Sequence, residues 1–218
     1  MVKAIRGFES RPVRLEWQGP LADPAIRSFR RAYSVLGMPD APAVVLSARA
    51  VARTISRMAD EILERTDGPD GVVLVGIQRR GVEIADRIAD VMRERDGTDV
   101  PRGALDITLY RDDLQTVGPR PVVGRTHLPV AIDGRTVVIV DDVLFTGRTI
   151  RAALDELADF GRPARIMLAV LVDRGGRELP IQPDVVGKVV DVPPGDRVDV
   201  FVPTLDGRDE VVLSRGRA

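Results

Sequence analysis

The sequence predicts an α/β domain: a mostly parallel sheet with helices on both faces. Two strand–loop–helix units carry that prediction. In the first, an apolar run at 72–75 leads through a glycine-bounded loop at 76–81 into a helical stripe; in the second, a run at 136–140 leads through a loop at 141–148 into another. Chain length agrees, since 218 residues with 44% hydrophobic and 30% charged side chains suit one such domain with an appendage.

Taken in order, residues 48–66 put Val51, Ile55, Met58, Ala59, Ile62 and Leu63 at helical spacing and end at Thr66-Asp67-Gly68-Pro69, a stop-and-turn signal. Val72-Val73-Leu74-Val75 follows as a strand, and Ile84, Ala85, Ile88, Ala89 and Met92 form the next helical stripe. Residues 103–109 read as a strand, and 110–134 as a polar segment with Pro and Gly, long enough to imply function or disorder. The second unit comprises a strand at 136–140 and a helix with Ile150, Ala153, Leu154 and Leu157 on one face. A strand at 166–172 follows Gly161-Arg162-Pro163, and 185–189, 198–202 and 211–213 read as short strands. Ligands of parallel sheets bind beyond the C-terminal strand ends, which directs attention to the two loops.

Composition narrows the chemistry. No apolar run approaches the roughly 20 residues of a membrane helix, and the charged N-terminus lacks a signal-peptide pattern, so a cytoplasmic location is expected. The absence of cysteine excludes disulfides, thiolate metal sites and a cysteine nucleophile. A single histidine, His127, cannot form a histidine metal cluster and reads as a solvated loop residue. With 32 basic and 33 acidic residues, any nucleic-acid surface has to be a local patch.

The chemistry concentrates at 137–149. Four apolar residues run into Asp141 and Asp142, then Val143-Leu144-Phe145, then Thr146-Gly147-Arg148-Thr149 and a helix. The N–H groups and positive dipole end of a starting helix cradle phosphate, Gly147 permits close approach, and two threonine hydroxyls add donors. The carboxylates suit the vicinal hydroxyls of a ribose, so the segment fits a ribose 5-phosphate. Asp141 and Asp142 would also serve as ordinary turn and cap residues. A P-loop magnesium carboxylate is excluded, because Gly187-Lys188 is followed by Val189 and no glycine stands five residues before Gly187.

Residues 137–149 resemble the phosphoribosyl-diphosphate signature of type I phosphoribosyltransferases. The segments 103–114 and 171–181 narrow the resemblance to the bifunctional pyrimidine-operon regulators with uracil phosphoribosyltransferase activity, over roughly residues 44 to 214. The resemblance implies the type I fold with a small hood, and formation of UMP and diphosphate from uracil and 5-phosphoribosyl 1-diphosphate with Mg2+. It implies catalytic roles for Asp141, Asp142 and Arg111, with Asp142 reaching the metal indirectly through magnesium-diphosphate. Val143, Leu144, Phe145, Thr146, Gly147, Arg148 and Thr149 would bind the ribose 5-phosphate. Gln78, Arg79, Arg80 and Gly81 would form the diphosphate loop, which otherwise reads as a plain strand–helix connection. Tyr110 to Asp113 would begin a flap over the diphosphate, and Asp173 and Arg174 would flank the base.

The same resemblance implies a homodimer or higher homo-oligomer that binds pyrimidine operon leader mRNA, with UMP and UTP as co-regulators. Ser56, Arg57, Arg177 and Lys188 are the RNA-binding candidates. Asp60, Gly176 and Gln182 replace a histidine, a histidine and an arginine expected there, which weakens the RNA reading relative to the enzymatic one. Residues 1–43 lie outside the resemblance. Seven basic against four acidic residues within 1–40 suit an RNA-contacting or oligomerising arm, while family-like sequence so soon after Met38 suits an initiation codon assigned too far upstream. Residues 44–218 form the expected phosphoribosyltransferase domain.

Overall fold

The computed structural model describes residues 42–110 and 125–215. The N-terminal segment 1–41 and, within the expected flap, Arg111, Asp112 and Asp113 lie outside them. All elements below belong to the compact unit Gly37–Ala218.

The central sheet has five parallel strands in the order β3-β2-β4-β5-β6: β2 Val72–Ile77, β3 Arg102–Leu105, β4 Thr136–Leu144, β5 Arg165–Asp173 and β6 Val185–Val189. All six residues of β2 are buried. Alternation along the strands divides the core between two faces. Val73, Val75, Val137 and Ile139 pack with Ile150, Ala153 and Leu157 of α3 (Arg148–Phe160). The opposite face carries α1 (Ala48–Thr66) and α2 (Arg80–Asp96), which pack on each other, on β2 and β4, and on β6. At about 1.5–3 kcal/mol for each fully buried Val, Leu or Ile, these layers supply most of the driving force.

A smaller antiparallel sheet, β1-β8-β7, forms the hood from β1 Ala43–Leu46, β7 Arg197–Phe201 and β8 Glu210–Ser214, with one helical turn, α4 Pro203–Asp206, between the last two. Sequence reading did not detect β1, a strand of four residues.

Two expectations need correction. The strand predicted at 103–109 ends at Leu105 and gives way to a 3-10 turn, Ile107–Tyr110. Asp106 causes the break: its carboxylate accepts bonds from the Thr108 amide (2.9 Å) and hydroxyl (2.5 Å), a local pairing that competes with the strand ladder. The loop predicted to start at Asp141 starts later, because β4 stays in register with β5 as far as Leu144 opposite Asp173. Both aspartates are therefore strand residues.

Candidate functional site

A cleft of about 260 Å3 opens where β2 and β4 end, lined by Asp141, Asp142, Arg79, Arg80, Asp106 and Thr149 among others. Asp141 is only 6% exposed. Its carboxylate accepts the Asp142 amide at 2.9 Å, and the Asp142 carboxylate accepts the Val143 amide at 2.8 Å. Burial, then the charge of Asp142, pushes the Asp141 carboxyl well above the usual aspartate range. Burial also raises Asp142, but backbone amides and the nearby Arg80 guanidinium oppose it. Both carboxyls are thus pushed upward, and the Arg80 guanidinium favours the charged form of Asp142.

Beyond β4, Phe145, Thr146 and Gly147 lead into α3. Gly147 has φ 91°, a left-handed conformation that favours glycine, and as the N-cap residue it brings no side chain of its own to the helix start. The Thr146 hydroxyl accepts the Arg148 amide at 3.3 Å, and Thr149 lines the cleft. The first turn of α3 thus reaches the cleft through Thr149, and a helix start there favours an anion. Arg148 turns elsewhere and pairs with Glu178 at 2.8 Å.

On the opposite wall, the loop from β2 to α2 is pinned to its neighbours. The Gln78 amide donates to the Leu105 carbonyl (2.9 Å), its side-chain amide donates to the Arg125 carbonyl (3.1 Å), and the peptide bond between Gln78 and Arg79 is cis. Gly81 is needed for close approach, since a Cβ there would lie 2.5 Å from the Val140 carbonyl oxygen. Arg80 pairs with Asp206 of the hood through two contacts, 3.0 and 3.2 Å. The Asp206 hydrogen bond raises the Arg80 pKa and lowers that of Asp206, which also accepts the Val202 amide. Asp206 was invisible in sequence: no short motif marks an ion pair spanning 126 positions. Asp106 was missed as a lining residue, although a carboxylate at the C-terminal end of a parallel strand was a usable signal.

Tyr110 and Thr126 are each tied to α3. Tyr110 Oη donates to Asp159 at 2.5 Å, and the Thr126 hydroxyl donates to the buried Glu156 while accepting the Asp106 amide at 3.0 Å. Backbone pairing of His127 with Ala104 holds the returning chain against β3.

At the end of β5, the Asp173 carboxylate accepts the Gly175 amide (2.9 Å) and Arg177 Nη2 (2.6 Å). Arg174 stacks over the Phe145 ring at 4.1 Å and donates to the Asp196 carbonyl at 2.9 Å, and burial lowers its pKa. Asp173, Arg174, Phe145 and Arg148 lie outside the lining of the 260 Å3 cleft.

The family model for the phosphoribosyl transferase domain matches residues 44–197. The chain belongs to the phosphoribosyltransferase family. Within it, the chain is 59% identical over 174 residues to the Bifunctional protein PyrR of Chloroflexus aurantiacus, covering 80% of this chain and 96% of that one. Identity to the protein of the same name from Thermus aquaticus is 53% over 171 residues, covering 78% and 94%. The chain therefore also belongs to the PyrR family. The hypoxanthine phosphoribosyltransferase of Trypanosoma cruzi shares the fold at a TM-score of 0.58 and 16% identity, covering 80% of this chain and 97% of that one.

In this phosphoribosyltransferase, two RNA candidates lie on adjoining elements: Arg57 on α1 and Lys188 on β6. Arg57 donates to the Val186 carbonyl (2.9 Å) and the Gly187 carbonyl (2.5 Å), clasping helix to strand. Ser56 accepts Arg95 of α2 at 3.1 Å, and the same guanidinium pairs with Asp60 at 3.1 Å. The acidic residue at position 60 thus has a partner from a second helix. Arg177 belongs to the loop after β5 and directs its guanidinium inward; its side chain is 13% exposed.

Proposed function

We propose that the protein is a uracil phosphoribosyltransferase, forming UMP and diphosphate from uracil and 5-phosphoribosyl 1-diphosphate, and that it regulates pyrimidine biosynthetic operons by nucleotide-dependent binding to leader mRNA. One observation carries the enzymatic half. One cleft brings the Asp141–Asp142 pair together with Arg80 of the loop after β2 and Thr149 of the first turn of α3, a set suited to ribose hydroxyls, a diphosphate and a 5-phosphate.

In this reading uracil N1 bonds to the anomeric carbon as the carbon–oxygen bond to diphosphate breaks, and N1 loses its proton. Asp142 holds the ribose hydroxyls and favours the positive charge that builds on the sugar, Arg80 takes charge developing on the diphosphate, and Arg111, outside the described residues, is the further anion ligand of this reading. Asp173 and Arg174 border the base end. The carboxylate-bearing lining also suits Mg2+, a hard cation that takes oxygen ligands, with Asp142 reaching it indirectly through the diphosphate. When bound with the diphosphate, magnesium supplies further charge neutralisation there.

For the regulatory half, Ser56, Arg57 and Lys188 are the proposed RNA-facing residues, Arg177 being turned into the protein instead; UMP and UTP are the proposed co-regulators, and a homodimer or higher homo-oligomer the binding form. A second reading, in which RNA binding is weak or lost, is favoured by the Asp60–Arg95 pair, which places a carboxylate on the α1 face and occupies a nearby arginine. Measuring UMP formation beside UMP-dependent binding to the operon leader RNA tests both readings. UMP formation with tight RNA binding supports the bifunctional assignment. Turnover without RNA binding supports the second reading, and RNA binding without turnover overturns the enzymatic one.

A further inference from the structure

The loop after β5 is stitched to the phosphate loop along consecutive residues. The Leu144 carbonyl accepts the Arg174 amide (3.1 Å), and the Thr146 carbonyl accepts the Glu178 and Leu179 amides (3.0 and 3.1 Å). Between them, the Phe145 carbonyl accepts Arg177 Nη1 at 3.1 Å. The same guanidinium holds the Asp173 carboxylate at 2.6 Å, donates from Nε to the Ile181 carbonyl at 3.0 Å, and reaches the Gly175 carbonyl at 3.4 Å. Packing adds a second, independent link. At Gly176, φ is +75° and a Cβ would lie 2.4 Å from the Phe145 ring, so the glycine lets the ring close on the loop. A histidine at 176 would require Phe145 to move.

From these contacts we infer that Arg177 is a positioning residue that fixes the base-end carboxylate Asp173 and the phosphate loop as one rigid unit, so that occupancy at one end of the nucleotide is felt at the other. The inference rests on the reading of residues 143–149 as a ribose 5-phosphate site and of Asp173 as base-proximal. Among the residues described, Arg177 is placed for this by its planar fork of donors, which spans a carboxylate and a carbonyl together. A lysine could keep the charge on Asp173 but would lose the simultaneous reach to the Phe145 and Ile181 carbonyls. The role also differs from RNA contact, since the four bonds turn the guanidinium into the protein.

The test compares wild type with Arg177→Gln and Arg177→Lys, titrated separately with UMP and with ribose 5-phosphate, and followed by amide hydrogen exchange without ligand. Arg177→Gln is expected to weaken UMP about tenfold or more, the scale of losing a charge-assisted bond, and to weaken ribose 5-phosphate several-fold although that probe carries no base. Arg177→Lys should fall between on UMP and resemble the glutamine variant on ribose 5-phosphate. Exchange should quicken at the Gly175, Glu178 and Leu179 amides in both variants. Unchanged ribose 5-phosphate binding in a folded Arg177→Gln, or unchanged exchange, overturns the inference. If Arg177→Gln does not fold, Arg177→Lys carries the same two readouts. Should wild type bind neither probe, the site reading fails, and the exchange result alone decides whether Arg177 couples the loops.

Discussion

At the scale of single residues, the two adjacent aspartates behave differently, and that difference is testable. Asp142 lines the cleft beside Arg80, so Asp142→Asn should lower turnover by about a hundredfold or more, as removal of a preorganised electrostatic contact does, while the melting temperature stays near that of wild type. Unchanged activity would refute the assigned ribose contact. Asp141 is buried and its carboxyl is held well above the usual range. The folded state then binds its proton more tightly than the unfolded chain, so stability is greatest below the ordinary aspartate pKa and declines as pH rises toward the raised one. Asn at 141 carries no such titration. The melting temperature of Asp141→Asn relative to wild type should therefore climb between pH 4 and pH 8, and a pH-independent difference would contradict the assignment.

Among the elements, the strand–helix loop at 78–81 shows how packing and function share a residue. Gly81→Ala would drive a methyl to 2.5 Å from the Val140 carbonyl oxygen, costing about 1–3 kcal/mol of overpacking and moving the loop away from β4. Denaturant unfolding should report that loss, and a fully stable variant would show that the loop yields cheaply. The hood supplies a cleaner probe, since Asp206 holds Arg80 from outside the cleft lining. Asp206→Asn should raise the KM for 5-phosphoribosyl 1-diphosphate several-fold and leave that for uracil alone; an equal rise in both would argue for general loosening. Much of this architecture was legible beforehand, because β2, β4 and β5 are continuous apolar runs and α1 to α3 keep helical periodicity. Position 106 broke the pattern, where one Asp side chain bonded locally and ended a strand that its neighbours would have continued. The orientation of Arg177 and the Arg80–Asp206 pair were not legible, because tertiary contacts alone decide where a long cation turns its donors.

For the molecule as a whole, two surfaces would have to be served by one nearly neutral chain, the nucleotide cleft and an RNA face. Long-range attraction is weak at a net charge of -1, so leader RNA would depend on the local balance along α1 and β6. Arg57 already clasps the β6 carbonyls, and Asp60 both adds negative charge and holds Arg95. Replacing Asp60 by Ala removes that charge and releases the Arg95 guanidinium from its acidic partner, two changes in the same direction. Asp60→Ala should therefore strengthen UMP-dependent leader RNA binding several-fold at low salt and steepen its salt dependence, as an added phosphate contact does. UMP formation should be unaffected, since Asp60 does not line the cleft. A variant with unaltered RNA affinity and salt slope, beside a wild type that does bind, would remove this helix face from the RNA interface and leave the regulatory contacts to other elements.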